Sequence, residues 1–203
     1  MGRYLGPKHK ICRRVGEKIC GNDKCPVTRR PYKAGVHGPT SRTRHTGYGI
    51  QLLEKQKAKM IYGLLDRQFR KYVEMAWNSK ENTSDVLLRL LETRLDNVIY
   101  RLGFANTRSQ SRQFVGHGHF TVNGRKVSVP SIAVRPGDVI GVRKESAKSK
   151  IFDGMSEKLA AKDLPAWLTV DATTMTAKVI AAPTAADAQP LFDPKQIIEL
   201  YSR

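Results

Sequence analysis

Apolar positions recur at helical spacing from Tyr48 onward, and strand-like alternation replaces them only after residue 118. Ile50, Leu53 and Ile61, with Lys57 between them, share one helical face, and Gly63 stops the pattern. Asp66 is placed to cap a second helix over residues 67–77 that buries Phe69, Val73 and Ala76. Residues 78–83 read as a polar loop. Ser84 then opens the most helix-like stretch, predicted as one helix over residues 85–102. Leu87, Leu91, Leu95, Val98 and Leu102 form its apolar stripe, widened by Leu88 and Ile99. Arg94, Asn97 and Arg101 run along one edge of that stripe, Asp96 reads as a helix-surface charge near Arg101 or Lys126, and Gly103 ends the helix.

The next fifty residues predict a small α/β module. Thr107-Arg108-Ser109-Gln110 fits a capping box, with the Thr107 hydroxyl and the Gln110 amide closing the first turn of a short helix. That helix carries Arg108, Arg112 and Gln113 and ends around Gly116-His117-Gly118. Asn123-Gly124 between two strand-like triplets is a two-residue hairpin signal, in which Phe120 opposes Val127. His119, Thr121, Lys126 and Ser128 then share the other face. Arg135-Pro136-Gly137-Asp138 makes a turn before a strand over residues 139–142. Further strands are expected at residues 167–170, 178–180 and 197–201, with a long loop at 181–194. The expected class is α+β: a basic N-terminal arm (1–47), a helical domain (48–92) on which strands and loop from 151–203 pack back, and the module with its antiparallel sheet (93–150).

Charge sharpens this picture. Of 203 residues, 36 are Lys or Arg and 18 are Asp or Glu, a net charge of +18. Residues 1–50 carry +10, 51–100 +2, 101–150 +8 and 151–203 −2. Two separated basic blocks point to a polyanion and not to a uniform solubility coat. A membrane is not expected as partner: the longest apolar runs, such as Val179-Ile180-Ala181-Ala182, are far short of the roughly 20 residues needed to span a bilayer. The first residues, interrupted by Gly2, Gly6 and Pro7, hold no apolar signal core, so a cytoplasmic chain is expected.

Residues 1–47 show little hydrophobic periodicity and need a partner, a metal or both to order them. Cys12, Cys20 and Cys25, the chain's three cysteines, crowd into this arm, and His9 precedes the first at metal-ligand spacing. One histidine with three cysteines is among the structural zinc sets, so His9, Cys12, Cys20 and Cys25 are expected to hold Zn²⁺ in a closed tetrahedral site.

The runs Arg29-Arg30-Pro31-Tyr32, Gly35-Val36-His37-Gly38, Glu54-Lys55-Gln56-Lys57, Leu91-Glu92-Thr93-Arg94-Leu95-Asp96-Asn97-Val98-Ile99-Tyr100-Arg101-Leu102-Gly103, Val115-Gly116-His117-Gly118-His119 and Val134-Arg135-Pro136-Gly137-Asp138 resemble bacterial small-subunit ribosomal proteins of the S-four family. The resemblance extends from the first residues to Leu200-Tyr201-Ser202-Arg203. It implies a structural constituent of the small subunit. Such a protein binds rRNA early at a junction in the 5′ domain, nucleates assembly, and lies beside neighbouring small-subunit proteins near the channel through which mRNA enters. Some family members place four cysteines in the arm; here His9 stands where the first would be.

With the basic blocks, the resemblance yields the RNA-binding candidates. In the arm they are Arg3, Tyr4, Arg13, Arg14, Arg29, Arg30, Lys33, His37, Arg42 and Arg44. In the module they are Arg94, Asn97, Arg101, Arg108, Ser109, Gln110, Arg112, Gln113, His117, His119, Asn123, Arg125 and Lys126. Arg108 and Arg112 are expected to neutralise phosphates and not to read bases, and their removal to leave the fold intact; the competing view makes them ordinary solvated helix charges. A-form RNA hides its base edges, so shape readout by cations and helix ends is expected.

Neither an enzyme nor a small-molecule substrate is expected. The rival is an RNA-modifying enzyme of the pseudouridine synthase type, whose catalytic aspartate lies in a string that Thr93-Arg94-Leu95-Asp96 superficially resembles. Only 53 residues follow Lys150, too few for a catalytic domain. His117 and His119 have no accompanying carboxylate or nucleophile pattern.

Overall fold

The computed structural model describes residues 4–21, 24–41, 46–188 and 190–202. Its contacts divide the chain into two units, Met1–Leu87 with Pro190–Arg203, and Leu88–Gln189.

Along the first unit, α1 (Lys8–Val15) ends at Gly16, whose left-handed φ of 85° lets its N–H return to the Cys12 carbonyl. α2 (Gly47–Tyr62) starts at Thr46, whose side chain accepts from the Gly49 N–H, and ends at Gly63. α3 (Asp66–Trp77) buries Phe69, Val73 and Ala76, as its spacing predicts. Asp66 does not cap it. Lys59 and Lys55 hold that carboxylate at 2.8 and 3.3 Å, the hydrogen bond from Lys59 drawing its pKa down against its partial burial.

α4 (Thr83–Glu92) is opened by Asn82, not Ser84: the Asn82 carboxamide accepts from the Ser84 N–H at 3.0 Å. The helix expected over 85–102 is broken after Glu92, and α5 (Leu95–Leu102) begins anew. Arg94 between them is extended, with φ −64° and ψ 135°, and bridges to Ala133. Thr93 O accepts from the Val134 N–H, and the Leu95 N–H donates to Ile132 O. A passing segment thus satisfies the backbone groups that a continuous helix would have satisfied itself. Periodicity could not show this, because both helices keep leucines on the inner side.

α6 (Arg108–Gly116) follows, then β1 (Phe120–Val122), β2 (Arg125–Val127) and β3 (Val139–Val142). The predicted hairpin register holds, with Phe120 opposite Val127. Asn123 and Gly124 turn with φ of 50° and 77°, the left-handed pair that a two-residue hairpin requires. Short helices α7 (Lys144–Ala147) and α8 (Met155–Ala160) lead to β4 (Leu168–Asp171) and β5 (Thr176–Val179). Among the described residues the sheet has five antiparallel strands, ordered β2-β1-β3-β5-β4.

The strands at 168–179 therefore complete the module's sheet. The cause is β5, which pairs with β3 through Ile140 opposite Ala177 and buries Val179. Leu95, Val98, Ile99, Leu102, Phe104, Val115, Phe120 and Ile140 are fully buried beneath this sheet, each worth about 1.5–3 kcal/mol of transfer.

α9 (Ala185–Ala188) interrupts the expected loop, and α10 (Pro194–Tyr201) replaces the expected terminal strand. Asp193 caps it through the Lys195 N–H, and Pro194 occupies the first helical position. α10 packs in the first unit, where Glu199 accepts from Gln51 and the Tyr201 ring lies near Phe69. The class remains α+β.

Candidate nucleic-acid interface and metal centre

The break between α4 and α5 turns charged side chains inward. Glu92, Arg94, Asp96 and Asn97 are all at most 4 % exposed. Asp96 receives the Arg94 guanidinium through Nε at 3.1 Å and Nη2 at 2.7 Å, and Arg112 Nη1 at 3.2 Å. Its carbonyl accepts from the Ser111 hydroxyl. Glu92 receives Arg101 through Nε at 3.0 Å and Nη2 at 2.9 Å, and the Asn97 amide at 2.7 Å. Asn97 Oδ1 in turn accepts from Arg108 Nε at 2.7 Å.

Three expectations change here. Arg94 and Asn97 are not available as RNA contacts, because they lie inside the unit with their polar atoms bonded there. Asp96 is a buried hub joined to Arg94 and Arg112, not a surface charge near Arg101 or Lys126. Arg108 and Arg112 are anchored to the network, so their removal would disturb the fold. A fixed guanidinium keeps its outer N–H groups oriented at little entropic cost.

α6 sits over this network. Thr107 Oγ1 accepts from the Gln110 N–H at 3.2 Å, and Gln110 Oε1 accepts from the Asn106 N–H at 2.9 Å. The reciprocal cap closes the first turn as read from sequence. Thr107→Ala is expected to lower stability by about 1 kcal/mol in urea unfolding. Ser109, Gln113 and His117 on this helix and its end are exposed, as are Arg125 and Lys126 on β2.

Asn123 serves the hairpin itself, donating to Asp138 at 2.8 Å and accepting from the Val139 N–H at 2.9 Å. His119 is half-buried against Phe114 and Phe152, with Nδ1 3.0 Å from Ser146 Oγ. Burial, and then the neighbouring His117, push its pKa below the usual value.

In the arm, α1 places His9 and Cys12 three residues apart on one face, and the following loop brings Cys20 and Cys25 to them. The four ligand atoms lie within 4.8 Å of one another, with Cys12 and Cys25 at 1 % and 2 % exposure. A tetrahedron of Zn–S bonds of about 2.3 Å has edges of roughly 3.8 Å, so a small contraction closes the set on an ion. Burial pushes the Cys12 thiol up to about 11, an environment that favours a thiolate only when a cation compensates it. The donor set and its geometry fit a bound metal.

Arg13 fastens the arm internally: its Nε and Nη2 donate to the Tyr32 and Lys33 carbonyls, and its guanidinium lies 5.0 Å from the Tyr32 ring centre. Tyr4, Arg14, Arg29, Arg30 and His37 are exposed and Lys33 is half-buried. Arg3, Arg42 and Arg44 lie outside the described residues.

Residues 3–92 match the family model described as ribosomal protein S4/S9 N-terminal domain, and residues 93–140 match the S4 domain. Over its full length the chain is 48 % identical to the small ribosomal subunit protein uS4 of Syntrophomonas wolfei, covering all of both sequences. The chain belongs to the uS4 family. It is also 47 % identical to the uS4 of Heliobacterium modesticaldum and 48 % identical to that of Roseiflexus castenholzii, again over the whole of each chain.

The boundary between the two uS4 family models falls between Glu92 and Thr93, where α4 ends and the inward turn begins. β4 and β5 lie beyond the S4-domain match yet complete its sheet. No helix among the described residues of this uS4 chain is long and apolar enough to cross a membrane.

The sequence reading missed Glu92 and Asp96 as buried anchors. The signal was present in Glu92-Thr93-Arg94-Leu95-Asp96, where a threonine followed by alternating charges is a poor helix interior.

Proposed function

We propose that this chain is a structural, non-enzymatic constituent of the cytoplasmic small ribosomal subunit that binds rRNA through two basic surfaces. The observation that carries the reading is the full-length match to small-subunit uS4 proteins. The geometry supports it. In the second unit Glu92 holds Arg101, Asp96 holds Arg112 and Asn97 holds Arg108, while Gln113, Arg125 and Lys126 are exposed. That is a rigid cationic face suited to phosphates and 2′-hydroxyls on folded RNA. The arm adds Arg14, Arg29, Arg30 and Lys33, held by α1 and by a structural Zn²⁺ on His9, Cys12, Cys20 and Cys25.

As a uS4 protein it would bind the 5′ domain early and help nucleate its assembly. It would sit beside neighbouring small-subunit proteins, near the mRNA where it enters. Residues 1–47 form the arm in this reading and residues 93–150 the main RNA-binding module, with β4 and β5 as its support.

Both surfaces act on one RNA. Deleting residues 1–47 is expected to weaken binding to a 5′-domain rRNA fragment and to flatten the dependence of log K on log salt. Each phosphate that the shortened protein no longer neutralises removes about 0.7–0.9 from the slope. Filter binding across a salt series checks this. An unchanged affinity and slope would assign the arm to protein neighbours or mRNA.

A further inference from the structure

The cations around the last turn of α5 extend past the residues matched by the S4 domain. Lys162 follows α8, twenty-two residues beyond that match, yet its Nζ donates to the Tyr100 carbonyl at 3.1 Å and lies 5.2 Å from the Tyr100 ring centre. Arg108 lies over the same ring, with Cζ 4.5 Å from its centre. Both cations therefore approach the one ring, and Arg108 is among the charges that act on Lys162. Gly103 makes the approach possible: a β-carbon there would come within 2.7 Å of Lys162 Cδ, and its φ of 98° suits glycine.

A helix C-terminus attracts a lysine, and the bond to Tyr100 O fits that role. It does not account for the rest. The ammonium has three donors, and one carbonyl takes one of them. Among the described residues no carboxylate pairs with Lys162. Burial, then Arg101 and Arg108, push its pKa down, so the charged neighbours that act on it are cations. A half-buried ammonium set among guanidinium groups calls for an anion.

We propose that Lys162, Tyr100 and Arg108 form a phosphate-binding notch that takes one backbone phosphate of the RNA, extending the interface onto the segment after α8. This rests on the rRNA-binding reading above. Tyr100 supplies the ring that both cations approach, and Arg101 is held on Glu92.

The test is filter binding of the full chain to a 5′-domain rRNA fragment over a salt series. Lys162→Gln should weaken binding about 3- to 10-fold at low salt and lower the slope by roughly 0.7–0.9. Lys162→Arg should keep the slope, and Lys158→Gln, an exposed lysine on α8, should leave it unaltered. A footprint on the unmodified chain covers the case in which a variant folds poorly: Lys162 should be protected from acylation when the RNA is bound. If Lys162→Gln only lowers the thermal midpoint, with slope unchanged and Lys162 equally acylated in the complex, the lysine is a helix cap and the notch is overturned. If the unmodified chain fails to bind the RNA, the rRNA-binding reading falls and takes the notch with it.

Discussion

Asp96→Ala is expected to cost about 3–5 kcal/mol of folding stability, because it strips the carboxylate from a guanidinium buried at 1 % exposure. Arg94 reaches Asp96 through two nitrogens, and Arg112 through a third contact. Arg94 cannot regain water without opening the junction between α4 and α5. A domain holds roughly 5–15 kcal/mol in all, so such a loss leaves the second unit near its unfolding threshold. Asp96→Asn keeps an acceptor and should cost less. The exposed pair between Arg70 and Glu74 provides the contrast, since breaking it through Arg70→Ala should change stability by no more than about 0.5 kcal/mol. Urea unfolding followed by circular dichroism measures all three. An Asp96→Ala cost below about 1 kcal/mol would show that the network is solvated and does not anchor the RNA-facing arginines.

Loss of the proposed zinc is the second large effect expected. Purified protein is expected to carry close to one zinc per chain, and Cys12→Ser to abolish it, because Cys12 is the most buried of the four donors. Structural zinc in small modules binds with an apparent free energy of about 10–16 kcal/mol, and the arm has few other buried groups: Cys12, Ile19, Cys25 and Val27 are its buried apolar side chains among the described residues. Chelation should therefore expose residues 8–33 to protease while leaving the second unit intact. Elemental analysis with limited proteolysis checks both halves. Metal-free protein from zinc-supplemented cells, with the arm still resistant, would contradict the assignment.

The capping box at Thr107, the hairpin at Asn123-Gly124 and the metal cluster were legible in the sequence because each is local. A few residues at fixed spacing carry the whole geometry. The break at Arg94 was not, since it depends on residues 130–134 arriving from nearly forty positions away to take up backbone bonds. That one break reassigned Arg94, Asn97 and Asp96 from surface to interior. The pairing of β5 was hidden for a similar reason: the strand expected at 178–180 forms over Thr176–Val179, and nothing local to it names β3 as its partner. The terminal helix was readable from Asp193-Pro194, a cap followed by a first-turn proline, and the apolar run Ile197-Ile198 masked it. Lys162 carried no local sign, because its meaning lies in where α5 ends.

Sedimentation with small ribosomal subunits through a high-salt wash decides whether this protein belongs to the small subunit through rRNA contact. The protein is expected to remain bound near one copy per subunit, as a component held by many phosphate contacts and a rigid interface. Recovery in the supernatant, with subunits retaining none of it, would contradict the account.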